Sequence, residues 1–330
     1  MHHCVKCLAL LSCLWATLSC AGENYGEHPA AQVVIEELVK EEGFEREELV
    51  ILFSDAQRKD SILEAISRPA EKTKPWYEYR GIFLTEQRED EGLAFYEEHR
   101  ETLERAEREM GVPAEIIVAI IGVETYYGRI TGSYRVLDAL STLAFDYPRR
   151  SPFFTSELKH YLILARDQGF APGDLKGSYA GAMGYGQFMP SSYRSYAIDF
   201  DGDGVIDIWN NPVDAIGSVA NYFVRHGWRS GETVVVAANA EPGVPDDVFV
   251  QGRSDLKPEH TVAEFAAKGV TAREAVDPEA VATAMKFELE DGYEYWLGLH
   301  NFYVITRYNH SAMYAMSVYQ LSRRLAGLEP

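Results

Sequence analysis

The chain has 330 residues, of which 46% are hydrophobic, so it is long enough to bury a sizeable core in two or three packed units. It carries 51 acidic and 31 basic residues, which gives a formal net charge of −20. This charge argues against DNA or RNA as a partner, because nucleic-acid binding needs concentrated positive charge, and it leaves an uncharged polymer such as a glycan open.

Residues 1–20 have the pattern of an export signal. Lys6 precedes an apolar run at residues 7–18, which is too short to span a membrane by itself. Two processing sites compete: ordinary cleavage after Ala21, and a lipobox-like TLSC sequence in which Cys20 receives a lipid. We favour the lipid anchor on Cys20 and keep a soluble exported protein as the alternative. All four cysteines fall in this segment, so we expect no disulfide framework in the rest of the chain.

Residues 30–110 are highly charged and have helical periodicity. Asp60 is typical of a helix start. Residues 92–110 predict one long surface helix, whose charge run is its solvated face. Between these helices, residues 74–80 combine a proline with dense aromatic side chains, so we expect irregular backbone there. These rings form either core packing or the wall of a sugar site.

Residues 116–129 read IIVAIIGVETYYGR and predict a helix that is apolar on every side, which belongs in a core. Pro113 fits the first turn of this helix, and Gly128 is the expected stop. Glu124 lies near the end, and after Glu115 it is the only acid on the helix. Burial of a carboxylate without a partner raises its pKa. A carboxyl protonated near neutral pH suits a general acid, so Glu124 is the candidate catalytic residue.

Two further helices are expected at residues 136–143 and 153–167, and a glycine-rich run, GSYAGAMGYGQFMP, follows at residues 177–190. Glycines permit tight turns and close approach of the backbone. The run lacks the P-loop pattern, and no predicted strand precedes it, so we expect neither a phosphate site nor a dinucleotide site. It is either a flexible connector or the shaped wall of a groove, which its interleaved polar and aromatic residues favour.

Residues 199–207, DFDGDGVID, match the opening of a calcium-binding loop. The ligands expected from this pattern are the side chains of Asp199, Asp201 and Asp203 and the carbonyl of Val205. The twelfth position holds Asn210 instead of the usual glutamate, so Asp214 is the candidate that closes the site. A solvated turn is the alternative, but the mutual repulsion of three aspartates favours a bound cation.

The chain changes character at residues 231–269, where the short runs 233–236 and 248–250 stand between glycine and proline turns. This pattern predicts a small β-rich insertion. An aromatic segment then leads to a helix expected at residues 311–325. His310 has no paired metal ligand at helical spacing and is interpreted as structural. A Ser-His-Asp hydrolase is disfavoured because the sequence has no GxSxG elbow.

Four stretches, in this order, resemble the membrane-bound lytic murein transglycosylase B family: GVETYYGR, GSYAGAMGYGQFMPSSY, the calcium loop with PVDAIGSVANYF, and ITRYNHSAMYAM. The resemblance implies an α+β, mainly helical fold, and a periplasmic enzyme that is soluble or lipid-anchored in the outer membrane. The implied parts are a signal peptide at 1–20, an N-terminal helical domain at 21–110 completed by 316–330, a lysozyme-like catalytic core at 111–228 completed by about 290–315, and a small β domain at 229–289.

The same resemblance implies roles for individual residues. Glu124 is implied as the catalytic acid and then the base, with Ser178 and Gln187 lining the groove beside it. Other positions implied to line the site or contact sugar are Tyr79, Tyr222, Tyr308, Asn309 and Tyr314. Calcium is implied as a structural ion, no organic cofactor is expected, and the implied ligands are Asp199, Asp201, Asp203, the Val205 carbonyl and Asp214.

The implied reaction cleaves the β-1,4 bond between N-acetylmuramic acid and N-acetylglucosamine in peptidoglycan and leaves 1,6-anhydromuramic acid ends. Most glycosidases use two carboxylates, but one acid suffices if the substrate supplies its own nucleophile, here the C6 hydroxyl of the muramic acid. Two alternatives remain: a hydrolase similar to goose-type lysozyme, and a noncatalytic calcium-dependent wall-binding protein. The expected partners are peptidoglycan glycan strands, with no nucleic acid, and the expected state is a monomer.

Overall fold

The computed structural model describes residues 24–67, 74–250 and 256–329, and helices dominate these residues. In chain order they are α1 Pro29–Glu42, α2 Arg46–Asp55, α3 Asp60–Ser67, α4 Trp76–Arg80, α5 Glu86–Glu98, α6 Arg100–Met110, α7 Ala114–Thr125, α8 Val136–Asp146, α9 Ser151–Gln168, α10 Pro190–Tyr196, α11 Pro212–Arg225, α12 Val262–Ala267, α13 His300–Tyr308 and α14 Ala312–Leu325. Thr85, Asn211 and Ser311 cap α5, α11 and α14, because each side chain accepts a hydrogen bond from an N–H group in the first turn.

Two antiparallel sheets occur in the described ranges. A short sheet pairs β1 Tyr134–Arg135 with β2 Lys176–Gly177. The other sheet has the strand order β4-β6-β7-β3-β5, with β3 Val235–Ala240, β4 His260–Thr261, β5 Val270–Ala272, β6 Val281–Glu288 and β7 Tyr293–Gly298. This sheet and α12 confirm the predicted small β-rich unit, although the sheet extends beyond residue 269.

One predicted strand is wrong. Residues 248–250 do not form a strand, because Pro245 leads into a 3-10 turn at Asp246–Val248. A proline followed by two aspartates favours a turn, and the three apolar residues after it are too few to outweigh that preference. The strand predicted at residues 233–236 exists, but it begins at Val235 and runs to Ala240.

Two helical predictions also need correction. The predicted irregular segment at residues 74–80 contains the short helix α4, because Pro75, with φ of −59°, precedes the first turn instead of interrupting it. The single long helix predicted at residues 92–110 is divided into α5 and α6. His99 leaves helical geometry there, with φ of −113° and ψ of 21°, and its ring packs against Phe95.

Buried side chains form three clusters. The first surrounds α7 and includes side chains of α4, α5, α6, α11, α13 and α14. The second joins α1–α3 to α8 and α9, and the third lies in the five-stranded sheet. Within the predicted N-terminal helical domain at 21–110, α1–α3 contribute to the second cluster and α4–α6 to the first. The predicted domain boundaries stay a prediction.

The predicted export signal, with Cys20 and the other cysteines, lies outside the described residues. The predictions of a signal peptide and of a lipid on Cys20 therefore stay predictions. Within residues 24–67, 74–250 and 256–329, no helix is both long enough and apolar enough to cross a membrane.

Candidate active site

Glu124 lies one residue before the end of α7, whose apolar sequence determines its setting. All residues from 116 to 122 are buried, which confirms the predicted core helix. The helix ends before the expected stop at Gly128, because Tyr126 and Tyr127 adopt left-handed φ values of 54° and 60°. Their N–H groups donate back into the last turn and satisfy carbonyl groups that a helix end leaves open.

A left-handed conformation is costly for a large side chain, so the surroundings must enforce it. Tyr127 is held by close packing over two glycines. A Cβ atom at Gly92 would lie 2.5 Å from the Tyr127 hydroxyl oxygen, and one at Gly122 would lie 2.6 Å from its ring. The same hydroxyl donates to the carbonyl of Arg88 at 2.8 Å. Packing therefore fixes the turn that follows Glu124.

The Glu124 carboxyl has one phenol as its hydrogen-bond donor. The Tyr314 hydroxyl donates to Glu124 Oε1 at 2.5 Å. Burial raises the pKa of Glu124 to about 7, and this effect outweighs the Tyr314 hydrogen bond, which lowers the pKa. Near neutral pH the carboxyl is therefore present in both the protonated and the ionised form. Such a group can donate a proton and then accept one, as general acid and base catalysis requires.

Tyr79 and Tyr308, two tyrosines predicted to contact sugar, lie near the hydrogen-bonded pair of Glu124 and Tyr314. Burial raises the pKa of Tyr314 well above its ordinary value, and Glu124, Tyr308 and Tyr79 add to the rise. Burial also raises the pKa of Tyr308 well above its ordinary value, with Glu124 as the next cause. These electrostatic contributions and the Tyr314–Glu124 hydrogen bond indicate that Tyr79, Tyr308 and Tyr314 lie near Glu124.

Tyr308 and Tyr222 pack against each other with ring centres 4.6 Å apart. The Tyr308 hydroxyl donates to the carbonyl of Gly186 at 2.6 Å, and the Tyr222 hydroxyl donates to the carbonyl of Arg307 at 2.6 Å. Tyr222 is only 8% exposed, whereas Asn309, which follows Tyr308, lies at the exposed end of α13. Tyr222 therefore supports Tyr308 from the core, and Asn309 is at the surface beside it.

The glycine-rich run is held by its own side chains. Gln187 has a left-handed φ of 50°, and its Nε2 donates to the carbonyls of Thr131 at 3.1 Å and Gly184 at 3.0 Å. Ser178 Oγ accepts hydrogen bonds from two N–H groups of the run. These bonds favour the shaped wall over the flexible connector. They also show that Gln187 and Ser178 brace the run, whatever else they contact.

Thr125 joins the end of α7 to the glycine-rich run, and sequence reasoning missed it. Its hydroxyl lies 2.9 Å from the carbonyl oxygen of Tyr185 and 3.0 Å from the N atom of Gly128. Thr125 is 1% exposed, so these bonds are shielded from water. Its position next to Glu124 in the sequence was the available signal, because a residue beside a candidate acid helps to set the position of that acid.

Arg88 was also missed, and it lies buried beside the left-handed turn. Its guanidinium donates to the carbonyl of Gly122 and lies 4.3 Å from the ring centre of Tyr126. Burial lowers the pKa of Arg88. Arg88 stands in the densely charged first turns of α5, where no spacing or composition distinguishes it from solvated neighbours.

The three aspartates of the predicted calcium loop converge. One carboxylate oxygen from each of Asp199, Asp201 and Asp203 lies within 4.8 Å of the others. Gly202 and Gly204, with φ of 81° and 95°, turn their N–H groups toward Asp199, and these donors lower its pKa. Three carboxyl groups in a tight loop offer the hard oxygen ligands that calcium prefers.

Asp214 is not part of the three-aspartate cluster. It is fully buried in the first turn of α11, where Oδ1 accepts from Phe200 N and Oδ2 accepts from Asp207 N, both at 2.8 Å. Asp214 thus ties together the two ends of the loop. Val205 lies on the exposed side, and its N–H donates to Asp203. The assignments of Asp214 and of the Val205 carbonyl as ligands stay predictions.

Comparisons with known proteins agree over almost the whole chain. The Transglycosylase SLT domain family matches residues 26–323. The chain is 46% identical over 315 residues to membrane-bound lytic murein transglycosylase B of Escherichia coli (strain K12). The aligned region covers 92% of this chain and 85% of the relative.

Two solved structures are also similar. The X-ray structure of a catenated lytic transglycosylase from Pseudomonas aeruginosa has a TM-score of 0.89 and 54% identity, and covers 92% of this chain and 99% of that chain. An Escherichia coli lytic transglycosylase in complex with calcium has a TM-score of 0.84 and 46% identity, and covers 92% of this chain and 95% of that chain. Calcium binding is thus recorded for a protein with the same fold.

Proposed function

The chain belongs to the transglycosylase SLT family and is a lytic transglycosylase of peptidoglycan, and we propose that Glu124 alone carries both proton transfers of its reaction. The observation that carries this proposal is the partly buried Glu124 carboxyl, whose pKa is raised to about 7 and which accepts a hydrogen bond from Tyr314. The family resemblance and the mainly helical, lysozyme-like fold predicted from the sequence are confirmed by the relatives.

In the first step, protonated Glu124 gives its proton to the glycosidic oxygen, and the bond from C1 of N-acetylmuramic acid to that oxygen breaks. The carbonyl oxygen of the 2-acetamido group of the same sugar stabilises the cationic carbon. Glu124 is left as a carboxylate, and the Tyr314 hydroxyl stabilises it through their hydrogen bond. A single carboxyl suffices for this step because the substrate supplies the neighbouring group.

In the second step, the Glu124 carboxylate removes the proton of the C6 hydroxyl on the muramic acid. The C6 oxygen forms a bond to C1, which closes the 1,6-anhydro ring and neutralises the cationic carbon that the acetamido oxygen had stabilised. Glu124 regains its proton, and no water is consumed. A pKa near 7 suits both steps, because the group must be a sufficient acid in the first and a sufficient base in the second.

The glycan contacts the walls on either side of Glu124. Tyr79 and Tyr308, which are both partly exposed, contact sugar rings, and Asn309 at the surface hydrogen-bonds to sugar oxygens. Ser178 and Gln187 keep the glycine-rich wall in shape. Tyr222 acts behind Tyr308, since its hydroxyl is engaged with a backbone carbonyl. Tyr314 holds Glu124 itself.

Calcium is a structural ion in this proposal. Asp199, Asp201, Asp203 and the Val205 carbonyl would hold it, and Asp214 closes the loop from α11, as a direct ligand or through its two backbone hydrogen bonds. Bound calcium would neutralise the clustered carboxylates and stabilise the loop. The proton transfers above require no Lewis acid.

The enzyme acts in the periplasm, held at the outer membrane by a lipid on Cys20. The lipobox-like TLSC sequence supports this location, and the Escherichia coli relative is described as membrane-bound. Fractionation of cells that produce the wild type and Cys20→Ser checks it. The wild type should sediment with membranes and the variant should not; equal distribution of the two proteins would favour the soluble exported form.

The test of the reaction is digestion of purified sacculi followed by mass spectrometry of the released muropeptides. The expected products end in 1,6-anhydromuramic acid. Glu124→Gln is digested in parallel, because it keeps the shape of the side chain and removes the transferable proton. Products that are heavier by one water would identify a hydrolase, and the transglycosylase mechanism would be rejected.

A further inference from the structure

The hairpin of the small β domain reaches α4, which carries Tyr79. In this hairpin, Phe287 of β6 and Glu294 of β7 are direct cross-strand partners. Partners of this kind project from the same face of a sheet, so the pair presents a ring and a carboxylate together. The Phe287 ring centre lies 4.9 Å from that of Trp76, and Glu294 Oε1 accepts the Trp76 indole N–H.

Trp76 is enclosed by these contacts and is 1% exposed. An indole has one hydrogen-bonding group, its N–H, and a buried N–H without an acceptor is costly. Glu294 therefore supplies the polar contact that this buried ring needs. The helix that carries Trp76 has only five residues, too few to be stable alone, so its position depends on what its side chains touch.

Tyr79 lies one helical turn after Trp76 and stacks on it, with ring centres 6.4 Å apart and an interplanar angle of 28°. Phe83 also packs against Tyr79, in a tilted arrangement with ring centres 5.5 Å apart. The same short helix contacts α14, which holds Tyr314 against Glu124. Contacts thus lead from the hairpin through Trp76 to Tyr79, and the helix that carries both residues packs against the helix that carries Tyr314.

We propose that Trp76 and Glu294 are positioning residues, through which the hairpin of the β domain fixes the angle and distance at which Tyr79 meets the glycan. This inference rests on the proposed function of Tyr79 as a sugar-contacting residue. Neither Trp76 nor Glu294 touches the reacting atoms, so their loss weakens substrate binding more than it slows the proton transfers. The β domain is then part of the substrate-binding apparatus.

The first test replaces the acceptor. Glu294→Ala leaves the Trp76 N–H unpaired, and we expect KM for glycan strands to rise about fivefold while kcat stays within about twofold. Glu294→Gln keeps an acceptor oxygen and should restore KM to near the wild-type value. The matched control is Glu288→Ala, which removes an exposed carboxylate from β6 of the same hairpin. A Glu294→Ala protein that behaves like Glu288→Ala would overturn the proposal.

The second test is a double-mutant cycle with Tyr79. If Glu294 acts through Tyr79, Glu294→Ala should raise KM in the wild-type background and have no further effect in a Tyr79→Ala background. An equal rise in both backgrounds would overturn the proposal, because the hairpin would then be a general anchor. Melting temperatures are recorded for every protein. If Glu294→Ala fails to fold, Trp76→Phe takes its place, since it keeps the ring and removes the N–H.

The cycle separates this inference from the proposed reaction. If Tyr79→Ala leaves KM unchanged, Tyr79 is not a sugar contact and the positioning role is lost, while inactivity of Glu124→Gln still supports the catalytic assignment. If the wild type releases hydrolysed ends, the reaction assignment fails, and the KM values of the cycle still decide whether Glu294 acts through Tyr79.

Discussion

Two regions of this molecule use carboxyl groups in opposite ways. At the end of α7, Glu124 has a phenol as its donor, and burial raises its pKa to about 7. In the loop at residues 199–205, three aspartates lie at the surface, and backbone N–H groups lower the pKa of Asp199. One region therefore makes a proton donor, and the other favours the ionised form of Asp199.

The difference arises from the backbone beside each carboxyl. Gly202 and Gly204 adopt positive φ, so the loop can curl its N–H groups around Asp199. The last turn of a helix offers the opposite, because its N–H groups are already used and its carbonyls point outward. Glu124 lies in that last turn, partly buried against an apolar core, and its charged form is stabilised by the Tyr314 hydroxyl and not by backbone N–H groups. Backbone geometry and burial, more than residue type, decide which carboxyl titrates near neutral pH.

The largest expected effect comes from removal of the proton donor. Glu124→Gln should lower the rate of anhydromuropeptide release by about a thousandfold or more while the protein stays folded and binds glycan. The rate is measured by chromatography of sacculus digests, and folding by circular dichroism. Glu115→Gln, in the first turn of the same helix, is the control and should keep wild-type activity. Near wild-type release from Glu124→Gln would remove Glu124 from the catalytic role.

A second prediction tests whether the phenol tunes the acid. Above pH 7 the rate of the wild type should fall about tenfold per pH unit, because the required acid form is lost as pH rises through the Glu124 pKa. The Tyr314 hydrogen bond lowers this pKa, so Tyr314→Phe should move the alkaline limb of the pH profile to higher pH. Its maximum rate should fall about tenfold, since the carboxylate loses its donor.

The control for this profile is Tyr319→Phe, which removes another phenol from α14. Its alkaline limb should coincide with that of the wild type. A profile of Tyr314→Phe that also coincides with the wild type would show that the phenol does not influence the titration of Glu124. Burial alone would then distinguish Glu124 from the carboxylates of the loop.

Local patterns in the sequence predicted both carboxyl regions but not what surrounds them. The apolar run identified α7 as a buried helix, and the alternating aspartates predicted the loop in which three carboxylates converge. Tyr314 meets Glu124 across 190 residues of sequence, and Trp76 meets Glu294 across 218. Hydrophobic periodicity describes one helix or strand at a time, so it cannot predict contacts between residues that are so far apart in the sequence. The resemblance to a family supplied Tyr314 as a site residue and gave no information on Trp76 or Glu294.

The same limit explains the wrong helix end. Gly128 was the natural stop because glycine adopts left-handed φ freely. The chain instead turns at Tyr126 and Tyr127, against their intrinsic preference, because the Tyr127 ring has space over Gly92. Gly122, the other glycine under the ring, is close in sequence, but Gly92 lies in another helix, and no local pattern around residue 127 indicates that it faces the ring. Tertiary packing outweighed local propensity at a position adjacent to the acid, as is common at functional sites.

The calcium loop yields a third, smaller prediction. A saturating concentration of calcium should raise the melting temperature by about 5 °C relative to chelator, since it binds the folded state preferentially. Asp199→Ala should abolish most of that rise. Asp214→Ala should also lower the melting temperature in chelator, because the N–H groups of Phe200 and Asp207 lose their acceptors. Differential scanning calorimetry measures both effects.

Asp291→Ala, in the exposed turn of the β6–β7 hairpin, is the control for the loss of one aspartate. Its response to calcium should match that of the wild type. Equal melting temperatures of the wild type in chelator and in calcium would count against the site. The loop would then be a solvated turn, and only the Glu124 half of the comparison would stand.

The smallest expected effect concerns Gln187, a polar residue of the glycine-rich run that belongs to neither carboxyl region. Its amide is uncharged, and its Nε2 bonds join the glycine-rich run to the loop at Thr131. Gln187→Ala should lower turnover about threefold to tenfold, because the wall that faces the glycan loses these bonds. Turnover and melting temperature are measured on the same samples, so that loss of shape in the groove is distinguished from loss of folded protein.

The backbone at Gln187 permits a sharper comparison. Its φ of 50° is strained for alanine and relaxed for glycine, and both substitutions delete the same hydrogen bonds. Gln187→Gly should therefore melt higher than Gln187→Ala, while the two lose the same fraction of turnover if the amide shapes the groove. Turnover that follows melting temperature from alanine to glycine would mean that Gln187 only braces the loop. In that case Gln187 would leave the set of site residues, and the wall of the groove would be defined by Ser178 and Tyr308.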